Sequence, residues 1–169
     1  MRIIVYKIPS TEKVLYNLGI LLEKLCLAKK RIGIFCDEEN IAVIDKTLWT
    51  FSTNYFVPHE ISLNDAVENE RSKMFSNEIQ PVLLATSLQD LYDREILCVF
   101  NDIDFEKSIS YLKDNKNTIK YGIKDIIYIV NDNNVNMAKI KDLINSNDID
   151  SEKNTLDIYV KNGLKWEKE

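Results

Sequence analysis

The segment that decides the fold is RIIVYKI at residues 2–8, a short run of apolar and mostly β-branched side chains that ends at Pro9. Such a run predicts a strand, because β-branched residues favour extended backbone and proline cannot continue a central strand. Ser10 or Thr11 can then cap a helix, and apolar residues recur at three- and four-residue spacing over residues 14–25. A strand that leads directly into an amphipathic helix predicts the start of an α/β fold.

The remaining apolar runs extend this pattern along the chain. They occupy residues 31–36, 81–85, 95–100 and 126–130. Segments with helical spacing separate most of them, at residues 37–49, 103–112 and 135–144, with Asn134 as a cap for the last. Strands that are apolar on both faces indicate a parallel sheet buried between helices.

Asn162-Gly163 lies between two short apolar segments near the end of the chain, which is the strongest hairpin signal in the sequence. Residues 62–80 are polar and weakly periodic, and we expect a long loop there. We predict an α/β protein whose residues 1–169 form a single Rossmann-like domain. Its central sheet is mostly parallel and flanked by helices, and it ends in a C-terminal hairpin or turn.

The composition limits the classes of partner. A formal net charge of −5 gives no broad positive field, so we expect contact with DNA only indirectly, through another protein. Cys26, Cys36 and Cys98 are widely spaced, which predicts reduced, buried thiols rather than disulfides or a zinc site. No stretch approaches about eighteen uninterrupted apolar residues, so we expect no contact with a membrane and a cytoplasmic location.

The sequence lacks the usual motifs of nucleotide and metal chemistry. None of its four glycines falls in the turn after the first predicted strand, and there is no phosphate-binding Gly-x-x-x-x-Gly-Lys-Ser/Thr motif. Asp37 follows the second strand, where it can cap a helix or bind a ribose in a nucleotide-binding enzyme. One histidine and scattered cysteines predict no metal site, and no cofactor is expected. By elimination, the fold is predicted to be a binding scaffold without catalytic activity.

The segment TLWTFSTNYFVPH at residues 47–59 carries the most specific information about function. Trp49 ends a predicted helix, where a large aromatic ring is either core or a docking surface. Pro58 pushes Val57 into an extended conformation, so the chain is expected to leave the helix and run along a sheet edge. His59 can be a general base paired with a carboxylate, or a structural imidazole, which is the simpler interpretation.

Four local features together resemble a known family. They are residues 28–31, residues 42–49 followed by Phe56-Val57-Pro58-His59, residues 80–84 and residues 95–100. In order and spacing they resemble the chi subunit of the bacterial DNA polymerase III holoenzyme, a clamp-loader accessory protein. The resemblance implies a Rossmann-type domain that uses no nucleotide. It also implies a role in joining the clamp loader, through a psi subunit, to single-stranded-DNA-binding protein.

The resemblance further implies a site for the acidic, phenylalanine-terminated C-terminal tail of single-stranded-DNA-binding protein. It carries Trp49, Val130, Lys141 and Ile144 over to that site, with Lys141 at the position of the carboxylate-binding arginine. Lys139 is a further basic candidate. A lysine keeps the charge but loses the planar fork of a guanidinium. Phe56, Val57, Pro58 and His59 are expected to form a partner-binding or structural corner.

Two other interpretations stay open from the sequence. In one, the chain is a Rossmann-type nucleotide-binding enzyme that uses Asp37 and the carboxyl ends of the strands. In the other, it is a domain of a larger complex that has lost the tail groove. Trp166 is expected to pack on the domain, because isolated tryptophans are seldom fully exposed.

Overall fold

The computed structural model describes residues 1–9, 13–62, 80–91, 93–100, 102–114, 122–131, 137–145, 155–162 and 165–169. Within these residues the strands are β1 (Arg2–Ile8), β2 (Ile32–Phe35), β3 (His59–Ile61), β4 (Val82–Ala85), β5 (Ile96–Val99), β6 (Asp125–Asn131), β7 (Thr155–Asn162) and β8 (Lys165–Lys168). The helices are α1 (Val14–Leu27), α2 (Glu38–Thr50), α3 (Asp102–Asp114) and α4 (Met137–Asn145), with a 3₁₀ turn at Leu88–Leu91.

The strands form one sheet in the order β3-β4-β2-β5-β6-β1-β7-β8. Every neighbouring pair is parallel except β7 and β8, which form an antiparallel C-terminal hairpin. The predicted fold class is therefore confirmed. The strands β2, β4 and β5 are buried at every residue, as a parallel sheet covered on both faces requires.

The side chains divide into two cores because successive residues of a strand point to opposite faces of the sheet. On β1, Ile4 and Ile8 join one core, whereas Ile3 and Val5 join the other. The first core includes Leu18 and Leu22 of α1 and Ile44 and Leu48 of α2. The second includes Phe105 and Ile109 of α3 and Ile140 of α4. We name these sides the α1–α2 face and the α3–α4 face.

Two details differ from the sequence-based expectations. The strand β3 was not predicted, because three residues that start with histidine and glutamate show no apolar periodicity. It exists because it pairs in parallel with β4, at the edge of the sheet where the chain was expected to run. The helix α1 follows Lys13, whose side chain makes no capping bond, while the proposed caps Ser10 and Thr11 lie outside the described residues. So do Asn134 and residues 63–79 of the predicted loop.

Lys29 lies two residues after the end of α1. It is the only non-glycine residue with positive φ in the described part of the chain, at 56°. Its N–H donates to the carbonyl of Cys26, and the N–H of Lys30 donates to that of Leu25. A residue in this left-handed conformation directs backbone N–H groups to the last free carbonyls of the helix. Glycine adopts this conformation most readily. Lys29 therefore adopts a conformation that a glycine would adopt with less strain.

The packing of α1 against α2 fixes where the chain goes after α2. Phe51, the C-terminal cap residue of α2, lies against Gly19 of α1. A Cβ atom at Gly19 would come within 2.6 Å of the Phe51 ring, so the close approach depends on the missing side chain. The hydroxyl of Ser52 then accepts from the N–H groups of Asn54 and Tyr55 and turns the chain towards β3.

The C-terminal hairpin packs on the α1–α2 face through aromatic rings. Tyr6 stacks on Tyr159 with a centroid separation of 5.4 Å, and Trp166 meets Tyr6 edge-on at 4.7 Å. The predicted packing of Trp166 is therefore confirmed. An ammonium–amide hydrogen bond from Lys161 to Asn17 ties the same hairpin to α1.

Candidate functional site

The N-terminus of α2 is held by Asp37. Its carboxylate accepts hydrogen bonds from the backbone N–H and the side-chain amide of Asn40, at 2.9 and 2.8 Å. Glu38 and Glu39 follow in the first turn, where negative charge complements the helix dipole. These contacts are those of an N-terminal cap, which favours the capping interpretation of Asp37 over a ribose ligand.

The C-terminal end of α2 presents an exposed aromatic pair. Trp49 is 60% exposed and Phe56 is 45% exposed, and their ring centroids lie 4.7 Å apart. Large apolar rings that remain exposed beside each other are typical of interaction sites. We call Trp49 and Phe56 the aromatic surface.

A buried imidazole lies beneath the aromatic surface. The side chain of His59 is only 1% exposed, and its ring centroid lies 5.4 Å from that of Trp49 and 5.9 Å from that of Phe56. Its Nδ1 is 2.7 Å from the carbonyl oxygen of Val57, and its Nε2 is 3.0 Å from Oδ1 of Asp45. With both nitrogens engaged and the ring covered, His59 has a structural environment rather than that of a general base.

The rest of the corner anchors this arrangement in the core. Val57 is fully buried on the α1–α2 face, and Pro58 is partly buried. The structure thus brings Phe56, Val57 and His59 of the corner together with Trp49, which the sequence analysis had assigned to the tail site. It adds Asp45, which sequence reasoning missed. The available signal was its position one helical turn before Trp49, on the same side of α2.

The remaining candidate residues lie on the other side of the sheet. Val130 is 5% exposed near the end of β6 and belongs to the core of the α3–α4 face. Lys141 is exposed on α4. Lys139 and Ile144 also belong to α4, but their side chains lie outside the described part of the structure. We call Val130 and the residues of α4 the lysine surface.

The aromatic surface and the lysine surface are separated by the whole sheet. The helix that carries Trp49 buries Ile44 and Leu48 on the α1–α2 face, whereas α4 buries Ile140 on the α3–α4 face. The structure therefore places Trp49 on the opposite face of the sheet from Val130 and from the helix that carries Lys139, Lys141 and Ile144. The physical reason is that successive crossovers place α2 and α4 on opposite sides of the sheet.

The thiols have no nucleophilic environment. Burial raises the pKa of Cys98 and of Cys36 to about 12 and that of Cys26 to about 11, so all three stay protonated at neutral pH. All three are free, as predicted, but Cys26 is only partly buried. Among the described residues, no group of three potential metal ligands occurs, and no helix is long and apolar enough to cross a membrane.

Comparison with known proteins gives one result that bears on this site. A family model described as DNA polymerase III chi subunit, HolC, matches residues 2–140. No curated protein matches the chain at a significant level. The matched region contains both the aromatic surface and Val130, while Lys141, Ile144 and the whole C-terminal hairpin lie beyond it.

Proposed function

Since the chain belongs to the DNA polymerase III chi subunit family, we propose that it links the clamp loader to single-stranded-DNA-binding protein as a non-catalytic cytoplasmic subunit. The family gives it an accessory role in DNA replication. Each partner is assigned to the surface whose exposed groups complement it. Its main support is that two chemically different surfaces lie on opposite faces of one sheet.

A linking protein has to bind two partners at the same time. Overlapping sites would make the partners compete, whereas sites separated by a folded sheet allow both to bind. The separation of Trp49 from Lys141 therefore fits a linker, although it removes Trp49 from the groove in which Lys141 was expected. We accordingly propose one partner for each surface.

The lysine surface is the proposed site for the acidic, phenylalanine-terminated tail. A peptide α-carboxylate requires a cationic donor, and Lys141 offers an exposed ammonium on α4. Lys139 and Ile144 on the same helix and Val130 beside it complete the proposed set. Because an ammonium is a point charge, this site should depend less on the orientation of the carboxylate than an arginine fork would.

The aromatic surface is the proposed contact with the clamp loader, made directly or through a psi subunit. An exposed tryptophan beside an exposed phenylalanine provides a large apolar area, and tryptophan is among the residues that most often dominate binding energy. Such a surface complements an apolar segment of a protein partner.

The test uses a labelled Asp-Phe-Ile-Pro-Phe peptide and its C-terminal amide. The free acid should bind the purified protein, the amide should bind much more weakly, and Lys141→Glu should reproduce that loss. Lys46→Glu is the matched control, because Lys46 is an exposed helical lysine on the opposite face. Equal binding of acid and amide, or no binding of either, would contradict carboxylate recognition.

Two further measurements address the other interpretations. Capture of single-stranded-DNA-binding protein by the purified chain separates a working tail site from a domain that has lost it. Thermal shift with ATP, NAD and S-adenosylmethionine examines the nucleotide-binding alternative, which the capping contacts of Asp37 do not favour. A clear stabilisation by one of these ligands would replace the scaffold interpretation.

A further inference from the structure

The two rings of the aromatic surface contact each other although both are largely exposed. Exposed side chains normally sample several rotamers, and fixing them costs conformational entropy when a partner binds. A surface that is held in its binding arrangement beforehand avoids much of this cost. The structure shows what can hold the pair, because the buried ring of His59 touches both Trp49 and Phe56.

His59 is itself fixed by three separate parts of the chain. Its backbone belongs to β3 and pairs with Val82 of β4. Its Nδ1 faces the carbonyl of Val57 in the corner, and its Nε2 faces the carboxylate of Asp45 on α2. A carboxylate can only accept, so the hydrogen bond to Asp45 uses an N–H on Nε2 as its donor.

Asp45 and Trp49 lie one turn apart on α2, so the hydrogen bond ties the imidazole to the same helix that carries the indole. The Asp45 side chain is 33% exposed, whereas that of His59 is 1% exposed. The carboxylate therefore lies at the rim and the imidazole beneath the rings. Neither group belongs to the exposed aromatic area.

We propose that Asp45 and His59 are positioning residues, which hold Trp49 and Phe56 in the arrangement that docks a protein partner without contacting that partner themselves. The proposal deepens the function assigned above to the aromatic surface and rests on it for the identity of the partner. Loss of the carboxylate leaves a buried ring N–H without its acceptor. The imidazole then loses its attachment to α2, and the two exposed rings gain freedom.

The experiment uses Asp45→Ala, which removes the acceptor altogether, in a Trp166→Phe background that leaves Trp49 as the only tryptophan. Time-resolved fluorescence anisotropy of the free protein should show a new fast motion of the indole. The affinity for the clamp loader of the same bacterium should fall about tenfold, as expected for a lost hydrogen bond to a charged group. Glu39→Ala is the matched control, because it also truncates an acidic side chain of α2 but lies in the first turn.

A second measurement needs no substitution at the pair. His59 is the only histidine, so every imidazole signal in an NMR spectrum belongs to this site. The Nε2 proton should exchange slowly with water in the unsubstituted protein and quickly in Asp45→Ala. Fast exchange in the unsubstituted protein would overturn the proposal, whatever the variant does.

The outcomes separate this proposal from the assigned function. If Trp49→Ala leaves clamp-loader binding unchanged, the partner assignment fails, and the anisotropy and exchange data still decide whether the pair positions the rings. If Trp49→Ala abolishes binding but Asp45→Ala changes neither indole motion nor affinity, the positioning role alone is wrong. A loss of affinity with unchanged indole motion would also contradict it, because it would place Asp45 in direct contact with the partner.

Discussion

The aromatic surface and the lysine surface differ in how much of the fold each needs. The aromatic surface combines Trp49 from α2, Phe56 from the corner and the buried imidazole of His59 from the edge strand. The lysine surface comes from the single helix α4, with Val130 in the same core as Ile140 of that helix. The first is proposed to bind an apolar protein partner, and the second a terminal carboxylate. The two surfaces lie on opposite faces of one sheet.

The largest expected effect is that of Trp49→Ala. Truncating an exposed aromatic anchor should weaken binding to the clamp loader by about 2 kcal/mol, or about thirtyfold. The affinity for the tail peptide should not change, because the peptide is proposed to bind the opposite face. Surface plasmon resonance with both ligands measures the two effects on one preparation.

The melting temperature of the Trp49→Ala variant is the control measurement for this experiment. Trp49 is 60% exposed, so the variant should unfold close to the temperature of the parent protein. A large decrease would show that the indole is part of the core. An equal loss of tail binding would mean that both ligands share one site, which would remove the distinction between the surfaces.

Lys141→Glu should have the next largest effect. Reversing the charge removes the proposed donor to the tail carboxylate, and we expect about tenfold weaker peptide binding. Lys141→Arg should bind the peptide at least as well as the parent, because a guanidinium can hold a carboxylate with two hydrogen bonds. Binding to the clamp loader should be unaffected in both variants, which fluorescence titration at constant ionic strength can establish.

Gly19→Ala tests how the aromatic surface depends on packing elsewhere. A Cβ at 2.6 Å from the Phe51 ring forces that ring to move, and we expect a loss of about 1 kcal/mol of unfolding free energy. Because Phe51 leads into the corner, clamp-loader binding should also weaken while tail binding persists. Urea denaturation gives the stability change.

Gly122→Ala is the matched control for this substitution. Among the described residues, a Cβ there would meet the carbonyl oxygen of Arg94, at 3.8 Å, which is an ordinary contact. If Gly19→Ala weakened the binding of the clamp loader and of the tail peptide equally, the substitution would act on the whole sheet rather than on the corner.

Lys29→Gly should have the smallest effect, and it should be favourable. Glycine adopts the left-handed backbone at φ 56° without strain, but it also gives the unfolded chain more freedom. The balance should be a gain of about 0.5 kcal/mol in the free energy of unfolding. Lys30→Gly should bring no such gain. Thermal denaturation measures the change in stability. The affinities for the tail peptide and for the clamp loader should stay unchanged, because the turn after α1 belongs to neither surface.

Much of the fold could be predicted because the relevant signals are local. The run at residues 2–8 gave β1 with the bounds that the structure has, and Asn162-Gly163 identified the β7–β8 hairpin. The strand β3 could not be predicted in this way. Three residues carry no periodicity, and their conformation depends on pairing with β4, which lies more than twenty residues further along the chain.

The candidate site was only partly predictable for a related reason. Trp49, Phe56 and His59 are close in sequence, so the segment that contains them could be recognised as one unit. The contact of His59 with Asp45 needed the helix and the edge strand side by side. The placement of Trp49 and Lys141 on opposite faces could not be predicted, because a linear alignment of motifs contains no information about which face of a sheet each helix covers.

The sequence by itself determined the family, the α/β class and most of the strands and helices, because these depend on short-range patterns of apolar, β-branched and capping residues. Only the tertiary structure decided the order of the strands and therefore the face on which each helix lies. That order comes from pairing between distant segments and from the handedness of the crossovers. It is the reason that Trp49 and Lys141 belong to two surfaces.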